Sequence, residues 1–336
     1  AALTIDPAHA PSLYDKALEH QRRGELAAAR TLYVKLGSLG GLHSKALLNY
    51  GVVLYRLGNL IAAERWFQAA GQVDPASPLP FINLAMVYRV WGFLPQAVAC
   101  LEHAIALAPE NADAHWNLAN ALLAAGDFKR GFAEYEWRFR REGRGERAMS
   151  MHILGVTLEV VRPMPAYLNA PAGVPAFDLP GRLKVGLVWR GNPQHENDQW
   201  RSVPLSLLQP LLDVPGVTFY SLQVGAAALE CAQEQWRERV TDLAPRLVDF
   251  AATAAAVGAL DLVIAVDTAV AHLAGALGKP AWLLIAQGND WRWLHERDDT
   301  PWYPAMRLFR QRKHRNWQPT IKQLAAALVE LAAAAP

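Results

Sequence analysis

DLVIAVDTAVAHLAGALGKP, residues 261–280, changes pattern halfway along, and that change decides the fold of the second half of the chain. Its opening is a short apolar, β-branched run, as in a strand buried on both faces of a parallel sheet. From Ala269 the apolar positions take helical spacing, and Gly278 and Pro280 supply stop signals. Asp267 and Thr268 therefore stand at the carboxyl end of a strand, where the next helix begins. Open α/β sheets bind ligands there, because unpaired backbone N–H groups and the helix dipole favour anions. Thr268 and His272, four apart, can face one ligand from the first helical turn. A plainer role suits the same residues, with Asp267 or Thr268 capping the helix and His272 packed inside.

The alternation extends outward from this stretch. From residue 183, LKVGLVW, VTFYSLQ, DLVIAV, PAWLLIA and MRLFRQ read as strands. PLSLLQPLLD, AALECAQEQWRERV, DFAATAAAVGAL, AVAHLAGALG and TIKQLAAALVELAAA read as helices between or after them. Residues 183–336 are thus expected to form one Rossmann-like, doubly wound parallel α/β domain, at roughly 150 residues the size of a single domain.

Residues 1–142 follow another rule. Gly24, Gly58, Gly92 and Gly126 recur every 34 residues, as do Pro7, Gly41, Pro75 and Pro109. Small residues (Ala29, Ala63, Ala97, Gly131) and large ones (Tyr33, Phe67, Leu101, Tyr135) form two further registers. This period resembles the tetratricopeptide repeat, an α-solenoid of helix pairs. Four units are expected, roughly 10–43, 44–77, 78–111 and 112–140. Such arrays present a concave face to a protein or peptide partner. Asn49, Asn83 and Asn117 repeat at the same interval. They suit either a ladder that holds a peptide backbone or a polar inner face without a dedicated ligand. Trp66, Trp91, Trp116 and Trp137 suit packing between helices.

Composition narrows the function. A formal charge of +2 leaves no electrostatic footprint for nucleic acid. Cys100 and Cys231 form neither a disulfide framework nor a metal-spaced cluster, and neither a metal nor a cofactor is expected. Asp261 and Asp267 interrupt the longest apolar run, which excludes a membrane span there. AALTIDPAHAPSLYDKA at the start has no signal-peptide pattern, and a cytoplasmic protein is expected.

Several motifs occur in order: VGLVWRGNPQHENDQWRSVPL, SLQVG, DTAVAHLAGALGKPAWLL and DWRW…PWYPAMRLFRQ. Together they resemble the nucleotide-sugar-binding half of heptosyltransferase-like glycosyltransferases, family 9 type, of GT-B fold. The version most resembled is the bacterial kind fused behind tetratricopeptide repeats, and the resemblance covers nearly the whole chain. FAEYEWRFRR at 132–141 resembles the segment that joins repeats to transferase. The resemblance implies a nucleoside-diphosphate sugar donor and metal-independent, inverting sugar transfer. It places Gly191, Asn192, Arg201, Asp267, Thr268, Ala269 and His272 at the donor, with Gln223 near the nucleoside. In the residues' own chemistry, Gly191 permits close approach to a phosphate, and Arg201 is either a phosphate contact or a surface charge. Asp267 would be repelled by phosphate and is assigned to sugar hydroxyls or to orienting backbone. Arg292 faces phosphate if Trp291 or Trp293 stacks on a base, unless that loop only packs against the repeats. Trp302, Tyr303 and Pro304 read as structural.

The intact family has a first Rossmann-like domain that binds the acceptor and supplies a carboxylate base. Here residues 143–182 resemble only its tail and a linker, and about one domain's worth of chain is expected to be missing between Arg141 and Met149. Within it, 149–181 is expected to form one helix and a proline-rich extended segment. Two functions remain in view, a glycosyltransferase and a non-catalytic scaffold or nucleotide-sugar sensor. The donor base, the sugar, the acceptor and the catalytic base are left open by the sequence.

Overall fold

The glycine register of the sequence becomes a set of matching turns. The computed structural model describes residues 9–141, 166–195 and 197–335. It divides into two units, Ala1–Thr157 and Leu158–Pro336. The first holds helix pairs α1 (Ala10–Arg22) with α2 (Leu26–Ser38), α3 (Ser44–Arg56) with α4 (Leu60–Val73), α5 (Leu79–Trp91) with α6 (Leu94–Leu107), and α7 (Ala112–Ala124) with α8 (Phe128–Tyr135). Gly24, Gly58, Gly92 and Gly126, between the helices of each pair, take φ of 78°, 81°, 79° and 86°. A side chain at such a φ would clash with its own backbone, so the 34-residue spacing records a backbone need.

The other registers explain the packing. Ala29, Ala63 and Ala97 are fully buried, and Tyr33, Phe67 and Leu101 fill the space beside them. A Cβ on Gly131, in the fourth copy of the small register, would lie 2.7 Å from Leu123 Cδ2. Beyond α8 a 3₁₀ turn, Glu136–Arg140, folds over the last repeat. Trp137 stacks on His115 at 3.7 Å between ring centres, with Arg140 over its ring at 4.2 Å. Arg141 Nε donates to Asp113 at 2.6 Å. The segment that the sequence assigns to a joint therefore also covers an apolar repeat end, as terminal caps must.

The second unit is a six-stranded parallel sheet in the order β3-β2-β1-β4-β5-β6. Its strands are β1 (Leu183–Val188), β2 (Val217–Ser221), β3 (Val240–Asp242), β4 (Leu262–Val266), β5 (Ala281–Ile285) and β6 (Met306–Arg310). Single helical turns α9 (Asp198–Arg201) and α10 (Gln209–Leu212) follow β1. Longer helices α11 (Phe250–Gly258), α12 (Ala269–Ala276) and α13 (Gln318–Ala334) follow β3, β4 and β6. The apolar run of β4 feeds both sides of the sheet. Leu262, Ile264 and Val266 enter one core, while Val263 and Ala265 enter the other. That division is what period-2 side chains on a doubly covered strand require.

Two expected helices are corrected. AALECAQEQWRERV, read as a helix, is part of a 3₁₀ run (Gly225–Ala232) followed by turns and the start of β3. Glu230 is held there by Arg190 and by the amide of Leu205, and Trp236 is buried in the core, so tertiary anchors override helical propensity. PLSLLQPLLD splits into a 3₁₀ turn and α10, because Pro210 has no N–H to continue one helix. The helix expected within 149–181 falls mainly outside the described residues. Residues 166–182 contain neither helix nor strand up to β1, and Tyr167 and Leu168 donate their amides to Ala276 O. One sheet is present among the described residues.

Candidate ligand-binding site

A cavity of about 770 Å³ opens at the carboxyl ends of the central strands. Arg190, Gly191 and Asn192 line it after β1, and Asp198 and Arg201 reach it from α9. Gln223 and Val224 line it after β2, and Thr268, Ala269 and Val270 after β4. β1 and β4 are neighbours whose connections leave in opposite directions, toward β2 and toward β5. Such a switch point leaves a crevice that the crossing segments cannot fill.

The β1 loop and α9 form one hydrogen-bonded block. Gly191 N donates to Ser202 Oγ at 2.9 Å, and that hydroxyl donates to Asp198 Oδ1 at 2.9 Å. Arg201 Nε donates to the same oxygen at 3.2 Å, and its Nη1 donates to Asp267 O at 3.0 Å. Arg201 is therefore no loose surface charge. It ties α9 to the end of β4, with a side chain only 18% exposed. A Cβ on Gly191 would come within 2.5 Å of Arg201 Nη2 and of Asp198 Oδ1, so any larger residue there must shift those side chains.

Gln223 has a similar structural duty. Its Oε1 accepts from the amides of Trp189 and Arg190, at 3.1 and 2.9 Å. Its Nε2 donates to Val224 O at 3.3 Å. The side chain thereby fixes the ends of β1 and β2 while still bordering the cavity. Arg190 Nε donates to Glu230 Oε1 at 2.5 Å, and Glu230 Oε2 accepts from Leu205 N at 3.1 Å.

At the start of α12, Thr268 is the N-cap residue by position, but its side chain caps nothing. Thr268 Oγ1 is buried without a partner among the described residues. A buried hydroxyl left unpaired is costly, which makes this group a point of interest for a ligand. Asp267, His272 and Arg292 are not among the cavity-lining residues. His272 Nε2 lies 3.8 Å from Asp267 Oδ1, and its Nδ1 is 3.0 Å from the Tyr303 hydroxyl. The ring stacks on Trp293 at 5.0 Å between centres. Burial pushes the Asp267 carboxyl up, while the Trp293 indole, His272 and Arg201 draw it back. Burial also pushes the His272 imidazole down, against the pull of Asp267. Arg292 Nη1 is bound by both carboxylate oxygens of Asp290, at 2.9 Å each, and its guanidinium lies over Trp291.

In the repeats the three asparagines are not equivalent. Asn83 and Asn117 donate to the carbonyls four residues back, Leu79 O at 3.0 Å and Asp113 O at 2.8 Å. Asn49 Nδ2 instead donates to the Tyr14 hydroxyl at 2.9 Å. Among the described residues no group of three or more His, Cys, Asp or Glu side chains is arranged to hold a metal ion.

Sequence reasoning missed Asp198, Ser202, Glu230 and Tyr303. Asp198 and Arg201 carry a weak signal, since an i,i+3 pair of opposite charge is a helix-surface contact. Ser202 works locally, four residues from Asp198, but carries no distinctive pattern, whereas Glu230 and Tyr303 act across 25, 31 and 40 residues of sequence.

Comparison with known proteins fits this architecture. Residues 217–320 match the family described as glycosyltransferase family 9 (heptosyltransferase). Residues 14–78 and 92–126 match tetratricopeptide-repeat families. Protein FlbA of Caulobacter vibrioides is 36% identical over 157 residues, covering 45% of this chain and 26% of that protein. The chain thus spans about a quarter of that relative's length. Among solved structures, YrrB, described as a TPR protein with an unusual peptide-binding site, is similar at 17% identity and a TM-score of 0.37, over 41% of this chain and 72% of that one. PilF of Pseudomonas aeruginosa is similar at 24% identity and a TM-score of 0.39, over 44% of this chain and 66% of that one.

Proposed function

We propose that this glycosyltransferase-like tetratricopeptide-repeat protein binds a nucleoside-diphosphate sugar in the cavity at the β1–β4 switch point. The observation that carries the reading is the meeting there of a fixed cation, Arg201, with an unpartnered Thr268 hydroxyl at the start of α12. The first amides of α12, at Ala269 and Val270, add N–H groups suited to an anion. With the diphosphate at this edge, the nucleoside falls toward Gln223 and Val224 across the ends of β1 and β2. Gly191 and Asn192 form the facing loop. Asp267 orients the backbone at the cavity's edge. The repeats recruit a protein or acceptor, and Asn83 and Asn117 offer a repeated polar surface for an extended peptide. The reaction expected of the intact family is inverting sugar transfer without a metal.

One observation favours a second reading, a nucleotide-sugar sensor without turnover. The carboxylates that line the cavity are already engaged: Asp198 by Arg201 and Ser202, Glu230 by Arg190 and the Leu205 amide, and Asp249 by the Ala252 amide. None is left as an obvious base. The test is incubation of the purified chain with ADP-, UDP- and GDP-sugars carrying a labelled sugar. Label transferred to any acceptor supports the enzyme, binding without transfer supports the sensor, and no binding removes both.

A further inference from the structure

Tyr303 does not line the cavity, yet it begins a chain of contacts that ends on the cavity's anion-facing edge. Its hydroxyl is 3.0 Å from His272 Nδ1, and His272 Nε2 is 3.8 Å from Asp267 Oδ1. The Asp267 carbonyl accepts from Arg201, and the next residue, Thr268, opens α12. Tyr303 is itself fixed. Its ring lies on Gly275 of α12, where a Cβ would stand 2.5 Å from Tyr303 Cγ. His272 sits between two aromatic neighbours, Trp293 and Tyr303.

We propose that Tyr303 is a positioning residue: its hydroxyl donates to His272 Nδ1, holding His272 as the neutral Nε2–H tautomer with that N–H turned toward Asp267. The chemistry of the partners selects this arrangement. A phenol can donate or accept, whereas an ionised carboxylate only accepts. In a neutral ring, donation from Nδ1–H to Tyr303 would leave the bare Nε2 lone pair facing the Asp267 carboxylate. Donation from Tyr303 removes that conflict and leaves both ring nitrogens matched. The charged groups acting on the ring are Asp267, Asp290 and Arg292. The consequence is a fixed Asp267–Thr268 edge, to which Arg201 is tied. This deepens the proposed donor site and rests on it for its functional meaning, though not for its geometry.

The test is ¹⁵N NMR of the full chain with ring-labelled histidine, the His272 signals being identified by their loss in His272→Gln. At neutral pH His272 is expected as the Nε2–H tautomer. In Tyr303→Phe the Nδ1 lone pair loses its donor, so the Nδ1 ¹⁵N signal of the neutral ring is expected to move downfield, toward that of an imine nitrogen with no hydrogen bond. A merely structural role would leave the hydrogen-bond state of Nδ1, and so that signal, unchanged. An Nδ1–H tautomer or an imidazolium in the unaltered protein overturns the proposal, as does an Nδ1 signal that stays in place in Tyr303→Phe. The tautomer of the unaltered protein decides alone if the variant does not fold. Neither readout needs a ligand. Failure of the donor reading therefore shows separately, as absent binding of nucleoside-diphosphate sugars with the tautomer as expected.

Discussion

A Cβ on Gly191 would stand 2.5 Å from Arg201 Nη2, so the loop after β1 and the guanidinium of α9 are fitted against each other. Gly191→Ala must displace Arg201, Asp198 or the loop itself. Overpacking of this kind costs about 1–3 kcal/mol. The variant is expected to lose donor affinity about tenfold, approaching Arg201→Ala, since one charge-assisted contact is worth about 1.5–3 kcal/mol. Calorimetric titration of both variants checks this, and normal affinity in Gly191→Ala would separate the glycine from the arginine's role.

Thr268→Val should move stability and binding in opposite directions. The hydroxyl is buried without a protein partner, and valine keeps the shape while removing the unpaired group. Thermal stability is expected to hold or to rise by about 1 kcal/mol or less. Donor affinity is expected to fall about tenfold if the hydroxyl turns to the ligand. A destabilised variant with unaltered binding would mean that the hydroxyl serves the fold.

Acid stability should respond to His314. Both ring nitrogens are buried without a partner among the described residues, beside Trp200 at 5.3 Å between ring centres. Burial, reinforced by the Arg315 charge, pushes this imidazole down to about 4. The unfolded chain binds the proton near pH 6.5 and the folded chain only near 4. The stabilising contribution is therefore complete above pH 6.5 and is lost as pH falls through 4. Its size is about 1–2 kcal/mol after allowance for solvent screening of a half-buried ring. Urea midpoints of the unaltered chain should drop between pH 7 and pH 4.5, and His314→Phe should flatten that slope. An equal slope in both proteins would assign the acid sensitivity elsewhere.

Within the repeats, Gly51 and Gly58 should fail for different reasons. A Cβ on Gly51 would meet Phe67 Cε1 at 2.5 Å, whereas Gly58 has a φ of 81°. Gly51→Ala is expected to cost about 1–3 kcal/mol through overpacking. Gly58→Ala is expected to cost about 1–2 kcal/mol through backbone strain. Re-optimising the neighbour with Phe67→Leu should rescue the first and not the second, as judged by thermal melting. Equal rescue, or none, would contradict the distinction.

The fold was legible wherever a backbone requirement recurs or a strand is buried on both faces. The left-handed glycines and the runs ending at Val188, Ser221, Val266, Ile285 and Arg310 all fall where the pattern placed them. β3 was not legible, because three residues, Val240–Asp242, are too short for any periodicity to show. The cavity's outline was readable from strand ends. Its wiring was not, since Gln223 works by holding β1 across 33 and 34 residues of sequence separation, and Glu230 by holding Arg190 across 40. Tyr303 read as structural because its partner lies 31 residues away and its hydroxyl has no motif of its own.

The central claim is that Arg201 and Thr268 hold the diphosphate of a nucleotide sugar. Calorimetric titration of the unaltered chain, Arg201→Ala and Thr268→Val with one panel of ADP-, UDP- and GDP-sugars tests it most directly. The account predicts one-to-one binding of at least one donor, weakened about tenfold or more in each variant that still melts cooperatively. Absence of binding across the panel, or equal affinity in all three proteins, would contradict it.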